Sequence, residues 1–484
     1  MQGNRGTWSM DRALLFFDDQ YLDRRENLDR RIGQPALVPE GTWRDPDLDP
    51  SWGYPSVFRD PESGLWRCLY QAQLPRSFVP EGGRLRHLAL VVESEDGVRW
   101  HAPDLTEAVP MAGRVRPHQV LPLAGFGEWG PCFHDARAED PAERLKAFVS
   151  YRDPGGTSAP LYVSADGTSW RLLPGRSWHP TGIDPAVSGF WNPVRDSYVI
   201  AARPSWGDRR IAVYETRDWR TFSAPEVAMR PDGEDTPAAQ VYGMPVFPYA
   251  HLFVGFLWIY HTTPVVGGGK FIEGKVDCQL AYSYNGWHFQ RCERVPFLPN
   301  AAPGEPGYGC IYPSSLVVTD DDVIRIYSSS SEGEHAQRLS EPELGEGRLL
   351  LHELRLDGFV FLEPPGGPGS LTTRPLHLRG DRLTVNAQAP QGRLRVQVTG
   401  PDCRPLDGYT YDDCAAFTGD AHAWEPVWRG GRTIGALSGQ VIRLEAELFN
   451  GRLYALRGDL HPTSPAGLRT WTETGQPPGT LQEA

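Results

Sequence analysis

The chain has 484 residues and a formal net charge of −13. That is long enough for two or three domains around a large buried core, and acidic enough to exclude a nucleic acid or an anionic membrane surface as its partner. Its 52 Gly and 45 Pro, with 16 Trp, 18 Tyr and 19 Phe, favour many short strands and turns over helices. From the N-terminus, residues 1–12 hold no apolar run and 13–17 supply only five apolar residues before Asp18-Asp19, so no leader or membrane span is expected and a cytoplasmic location is. Residues 13–17 read as a strand placed to close the last sheet of a ring. Residues 22–31 are highly charged and read as a surface crossing, and 35–55 as loop.

Strand-length runs then arrive in threes: 54–58, 65–72 and 87–93; 130–135, 145–151 and 161–164; 188–192, 197–202 and 210–215; 240–247, 253–260 and 279–283; 311–318, 323–328 and 349–356. Each trio ends on one recurring phrase. Ser94-Glu95-Asp96-Gly97-Val98-Arg99-Trp100, Ser164-Ala165-Asp166-Gly167-Thr168-Ser169-Trp170 and Ser283-Tyr284-Asn285-Gly286-Trp287-His288-Phe289 share it. Thr216-Arg217-Asp218-Trp219-Arg220-Thr221-Phe222 lacks the Gly, and Arg355-Leu356-Asp357-Gly358-Phe359-Val360-Phe361 lacks the Ser. An Asp-Gly or Asn-Gly pair between apolar runs signals a hairpin, and five copies at 52- to 72-residue intervals point to a radial array. The alternative is five unrelated hairpins. The expected fold is therefore all-β: a five-bladed β-propeller over 1–362, a Pro/Gly linker at 363–369, a β-sandwich over 370–461 and a loosely held tail over 462–484.

Seven cysteines, with no CxxC pair, argue against a disulfide framework and a structural zinc. No nucleotide, zinc-protease or serine-hydrolase motif occurs, so no cofactor is expected, with room left for a structural divalent ion such as calcium. In a propeller the innermost strands line a funnel, and the carboxylates just ahead of them converge. Asp45, Asp47 and Asp49 precede the first inner strand, Glu128 the second, Asp184 the third, Asp235 the fourth and Glu305 the fifth. A pair of carboxyls, one protonated and one ionised, is what cleavage of a glycosidic bond requires. Most loop carboxylates, by contrast, only form turns. Around them, Trp52, Trp129, Trp191, Gln240, Tyr242 and Tyr312 lie at inner-strand starts suited to stacking on and bonding a sugar. Arg203, Arg209 and Arg210 cluster around the third turn, where they suit a carboxylate or sulfate on the substrate or simply form a solvated turn, and Glu273 lies in a Gly-rich insertion over 266–275 that could act as a lid.

Five S-x-D-G-x-x-W hairpins followed by a sandwich resemble the five-bladed propeller glycoside hydrolases of families 43 and 32. Phe16-Phe17-Asp18-Asp19, Glu26-Asn27-Leu28 and the stretch from Leu371-Thr372-Thr373-Arg374-Pro375 to Asn386 resemble a bacterial hydrolase-like group within that superfamily. The chain lacks the N-D-P-N-G-like nucleophile motif and Glu-Cys acid of family 32, and its Arg59-Asp60-Pro61 falls in a strand-to-strand turn. By blade position the resemblance implies Asp45 as base or nucleophile, Glu128 as orienting group and Asp184, a methylene shorter than the family's Glu, as proton donor; Asp235 or Glu273 are substitutes for the last. The expected activity is hydrolysis of a small, neutral glycoside or oligosaccharide. A carbohydrate phosphorylase or transferase, which would need basic residues in the funnel, and a non-catalytic carbohydrate-binding propeller are the alternatives. No oligomeric state is implied.

Overall fold

The computed structural model describes residues 12–45, 53–73, 87–121, 127–129, 132–153, 156–178, 183–204, 206–262, 273–335, 337 and 347–476. The fold is all-β, and the chain divides into two compact units, one made of 35–319 and 324–353, the other of 1–34, 320–323 and 354–484.

The larger unit contains five antiparallel groups in chain order. The first pairs Ser56–Arg59, Trp66–Gln73 and His87–Ser94. The second pairs Gly127–Trp129, Phe133–His134, Leu145–Asp153, Gly156–Ser164 and Arg171–Trp178, and the third Ile183–Asn192, Ser197–Pro204, Ile211–Thr216 and Glu226–Met229. The fourth is built on Ala239–Gly243, Val246–Tyr249, Leu252–Thr262, Gly274–Ser283 and Gln290–Arg291, and the fifth on Cys310–Val318, Val323–Ser331 and Gly347–Arg355. One parallel rung, Val276 to Cys310, joins the last two.

Each group packs on the next. Leu69 and Val91 of the first meet Ala147 and Val149 of the second, while Phe148, Leu161 and Val163 meet Ile200, Tyr214 and Trp219 of the third. Phe190 of the third lies 5.1 Å from Phe253 of the fourth, and Trp258 of the fourth donates its indole N–H to the Pro313 carbonyl of the fifth at 3.0 Å. The fifth returns to the first: Tyr327, Leu349 and Leu351 share a core with Tyr70, Leu90 and Val92, and the Val57 N–H donates to Ser315 Oγ at 3.0 Å.

The recurring phrase folds the same way wherever its polar residues survive. Ser94 Oγ accepts from the Gly97 N–H at 2.9 Å, and Asp96 Oδ1 accepts from the Val98 and Arg99 N–H groups at 2.8 Å, so two side chains tie up the turn's backbone donors. Ser164 and Asp166 repeat those bonds, and Ser283 and Asn285 a close variant of them. Gly97, Gly167 and Gly286 have φ of 73°, 83° and 64°; in the third copy Trp219 adopts 59° at that place. Its left-handed strain is offset by burial against Phe133, Phe148 and Tyr198.

Three expectations are corrected. Arg12–Leu15 pairs with Arg452–Pro462 rather than with the fifth group, whose extra strand is Ala36–Leu37, paired to Gly347–Arg355. The charged stretch 22–31 supplies two strands, Leu22–Glu26 and Asp29–Ile32. The strand after the fifth turn, Val360–Glu363, pairs with Asp29–Ile32 and Arg452–Pro462 in the smaller unit, which explains why that turn is irregular: Asp357, at φ 60°, accepts from Arg457 at 2.8 and 2.5 Å. The smaller unit is one nine-stranded sheet system whose long element, Leu376–Thr399, pairs with three neighbours. The tail holds a helix, Pro465–Thr474, capped by Ser464 Oγ on the Gly467 N–H and ended by Gly475 at φ 67°. Among the described residues no helix is long and apolar enough to cross a membrane.

Candidate functional site

Strands of the fourth and fifth groups, with the approach to the first, gather a set of aromatic rings. Tyr54, just ahead of Ser56–Arg59, stacks on Trp258 with ring centres 5.5 Å apart and meets Tyr312 edge-on at 6.0 Å. Tyr312 lies 5.6 Å from Tyr242, which in turn meets Tyr260 at 5.8 Å and His335 at 4.9 Å. Alternation explains the gathering: Trp258 and Tyr260 lie two apart on one face of Leu252–Thr262. Tyr54, Trp258, Tyr260 and Tyr312 are fully buried. The Tyr312 hydroxyl makes no hydrogen bond of good geometry and has the Cys310 thiol as its polar neighbour; burial drives both groups well above their usual pKa range.

Two guanidinium groups from the third group cross to this cluster. Arg203 lies over the Tyr242 ring at 4.2 Å and donates to the Tyr242 carbonyl at 2.8 Å. Arg209 lies 5.2 Å from Tyr260 and 5.8 Å from Tyr242, and donates to Gln240 Oε1 at 2.7 Å, while its own carbonyl accepts from the Val241 N–H. Arg203 is buried, whereas Arg209 and Gln240 are half-buried, so the cluster grades from an apolar interior to a polar, cationic edge. Of the expected residues, then, Arg203, Gln240, Tyr242 and Tyr312 come together. Asp184 stands at the register position facing Arg203 on the neighbouring strand.

The remaining expected residues are placed as follows. Asp45 is buried and accepts from the Tyr70 hydroxyl at 3.1 Å, with His118 Nε2 at 3.3 Å; burial, and then the Asp45 charge, push the Tyr70 phenol well above its usual range. Asp235 receives Arg291 Nη1 on both oxygens at 2.7 Å, in a pair less than a tenth exposed. Trp191 packs between the second and third groups, with Arg137 4.1 Å over its ring, rather than with the aromatic cluster. Glu273 is exposed at the start of Gly274–Ser283. Glu128 and Trp129 lie on a strand paired with Leu145–Asp153; their side chains, like that of Asp184, fall outside what is described, as do Trp52 and 263–272 of the insertion. Arg59-Asp60-Pro61 does form a turn, and Asp60 is bound by Arg67 at 2.9 Å. Among the described residues no set of three His, Cys, Asp or Glu side chains could hold a metal ion.

No family model matches the sequence, and no curated protein does. Solved structures similar to this chain include carbohydrate-active enzymes. An N-acetylgalactosamine deacetylase from F. plautii in complex with blood group B trisaccharide is 14% identical, with 69% of this chain and 97% of that one covered at a TM-score of 0.44. A thermostable family-43 glycoside hydrolase is 13% identical (69% and 96%, TM-score 0.44), and a β-1,2-mannobiose phosphorylase from Listeria innocua 10% (69% and 98%, TM-score 0.43). At these identities and scores the likeness assigns no residue a role.

Sequence reasoning missed Tyr54, Trp258, Tyr260 and the half-exposed His261, whose Nε2 lies 2.9 Å from Asp277. That carboxylate, through its hydrogen bond, raises the histidine's pKa. In sequence the three aromatics look like any core residue of a strand, and only the arginines that arrive from another sheet set them apart. Two arginines reach Tyr242, where the run of loop carboxylates suggested an acidic funnel.

Proposed function

We propose that the larger unit is a five-bladed β-propeller, followed by a sandwich built from the C-terminal strands, and that it is an enzyme cleaving the glycosidic bond of a small glycoside or short oligosaccharide. The propeller reading is supported by five antiparallel groups that pack each on the next and the fifth on the first. The observation that carries the activity is the convergence on Tyr242: Arg203 and Tyr312 from neighbouring groups meet there, and Asp184 faces Arg203 across the strand pair. Aromatic rings and half-buried polar groups, with an acidic residue in register on the adjoining strand, suit binding and cleaving a sugar.

In this reading Asp184 and Glu128 form the reacting pair, one donating a proton to the departing oxygen and the other, ionised, acting on the anomeric carbon or on its attacking water. Asp45, buried under Tyr70 and His118, and Asp235, clamped by Arg291, hold their segments in place. Kinship with the bacterial hydrolase-like group and a cytoplasmic setting belong to the same proposal. A binding propeller without catalysis is favoured by one observation, the complete burial of Tyr54, Trp258 and Tyr312.

The test is a panel of aryl glycosides with the full chain and with Asp184→Asn and Glu128→Gln. Each variant should lose about 100-fold or more in kcat and remove one limb of the pH profile of kcat/KM. Unchanged turnover in Asp184→Asn removes that residue from the mechanism. No turnover of any glycoside, with saturable sugar binding retained, selects the binding propeller.

A further inference from the structure

We propose that Arg209 forms an oxyanion subsite, so that the ligand of this cluster includes a phosphate or carboxylate group in place of the neutral sugar the carboxylate count suggests. The inference rests on the glycoside reading for its setting, but its chemistry stands on Arg209 alone. Arg203 and Arg209 reach the same tyrosine and differ in what they do there. Arg203 is buried and donates into a backbone carbonyl, which is how an arginine ties one sheet to another. Arg209 is half-buried, and among the described residues its guanidinium makes one hydrogen bond, to Gln240 Oε1, with the Tyr260 and Tyr242 rings on its flank. Among the described residues no carboxylate is ion-paired to Arg209. Its neighbour Arg210, by contrast, is paired with Asp208 at 2.8 and 2.5 Å.

In a chain with 61 acidic residues against 48 basic ones, an arginine held on aromatic faces without a counter-ion is out of balance. Gln240 holds one edge of the planar fork and the rings flank it, which leaves its other N–H groups for a bidentate oxyanion. Two sources share that chemistry: free inorganic phosphate, acting as co-substrate, and a uronate carboxylate carried by the sugar.

The experiment is calorimetric titration of the full-length chain with inorganic phosphate, with glucuronate and with glucose as the neutral control. It is run on the parent, Arg209→Gln, Arg209→Lys and Arg210→Gln, with the melting temperature of each variant recorded. Saturable binding of phosphate or of glucuronate, weakened about tenfold or more in Arg209→Gln, weakened less in Arg209→Lys and kept in Arg210→Gln, is the expected result; which anion binds names the source. Arg209→Lys keeps the charge and decides the matter if the Gln variant does not fold. The proposal is overturned if neither anion binds the parent, or if binding survives the Arg209 replacements. Turnover of neutral aryl glycosides in that event leaves the glycoside reading standing, while absence of any turnover together with Arg209-dependent anion binding sinks that reading and keeps this one.

Discussion

The seam between the fifth and first groups and the seam between the third and fourth are built on different principles. At the first, Leu349, Leu351 and Tyr327 interlock with Tyr70, Leu90 and Val92, and charged and carbonyl groups that enter find partners: Asp45 in Tyr70 and His118, the Gly97 carbonyl in the Tyr327 hydroxyl, the Asp96 carbonyl in Arg325. At the other, two arginines cross, and one of them retains unspent donors at a half-buried edge. A seam that must only stay shut pairs every buried polar group. One that holds back a charged donor without a counter-ion spends stability on something else, and that asymmetry is the strongest pointer to where ligand chemistry lies.

Breaking the closed seam should have the largest effect. Leu351→Ala empties a fully buried site and should cost about 3 kcal/mol in denaturant unfolding, within the 2–5 kcal/mol usual for such truncations. Acid acts on the opposite face of the same strand through His352, whose register partner is Leu37. Burial lowers its pKa to about 4, and among the described residues its Nδ1 has no hydrogen-bond partner. The unfolded imidazole takes a proton near pH 6.5 and the folded one only near 4. Over that window the unfolded state holds more protons, and stability falls as pH falls, by at most about 3 kcal/mol in all. His352→Phe should flatten that slope; an unaltered slope would place the acid sensitivity elsewhere. Next comes Asp45→Asn, which replaces a buried acceptor and should cost about 2 kcal/mol by weakening the bonds from Tyr70 and His118. Should it leave stability untouched while abolishing turnover, Asp45 returns to the chemistry.

How much of this was legible in the sequence depended on the range of the interactions involved. The turn phrase is local: Ser94 and Asp96 satisfy N–H groups two and three residues on, so five copies could be seen without knowing what they pack against. Strands of the larger unit followed from alternation for the same reason. Leu22–Glu26 and Asp29–Ile32 did not, because their partners, Pro368–Thr373 and Val360–Glu363, lie more than 300 residues away and their exposed faces are heavily charged. The tail helix did carry its signals, Ser464-Pro465 at the start and Gly475 at the end, which composition masked. Within the site, Gln240, Tyr242 and Tyr312 could be named from their positions at strand starts, and Arg203 from the arginines clustered at the third turn. That Arg209 differs from Arg203 and Arg210 could not, since the difference lies in which carboxylates and carbonyls another sheet presents.

The smallest stability effect is the one that separates the two seams most cleanly. Arg209→Gln removes a part-exposed cation from two ring faces and one hydrogen bond to Gln240, a loss of about 1 kcal/mol or less. Removing unpaired positive charge from a half-buried edge also relieves desolvation, which pulls in the opposite direction. Unfolding curves of the parent and Arg209→Gln should therefore nearly coincide. A fall as large as that of Asp45→Asn would make Arg209 a second clamp like Arg203, and the two seams would then differ in composition only.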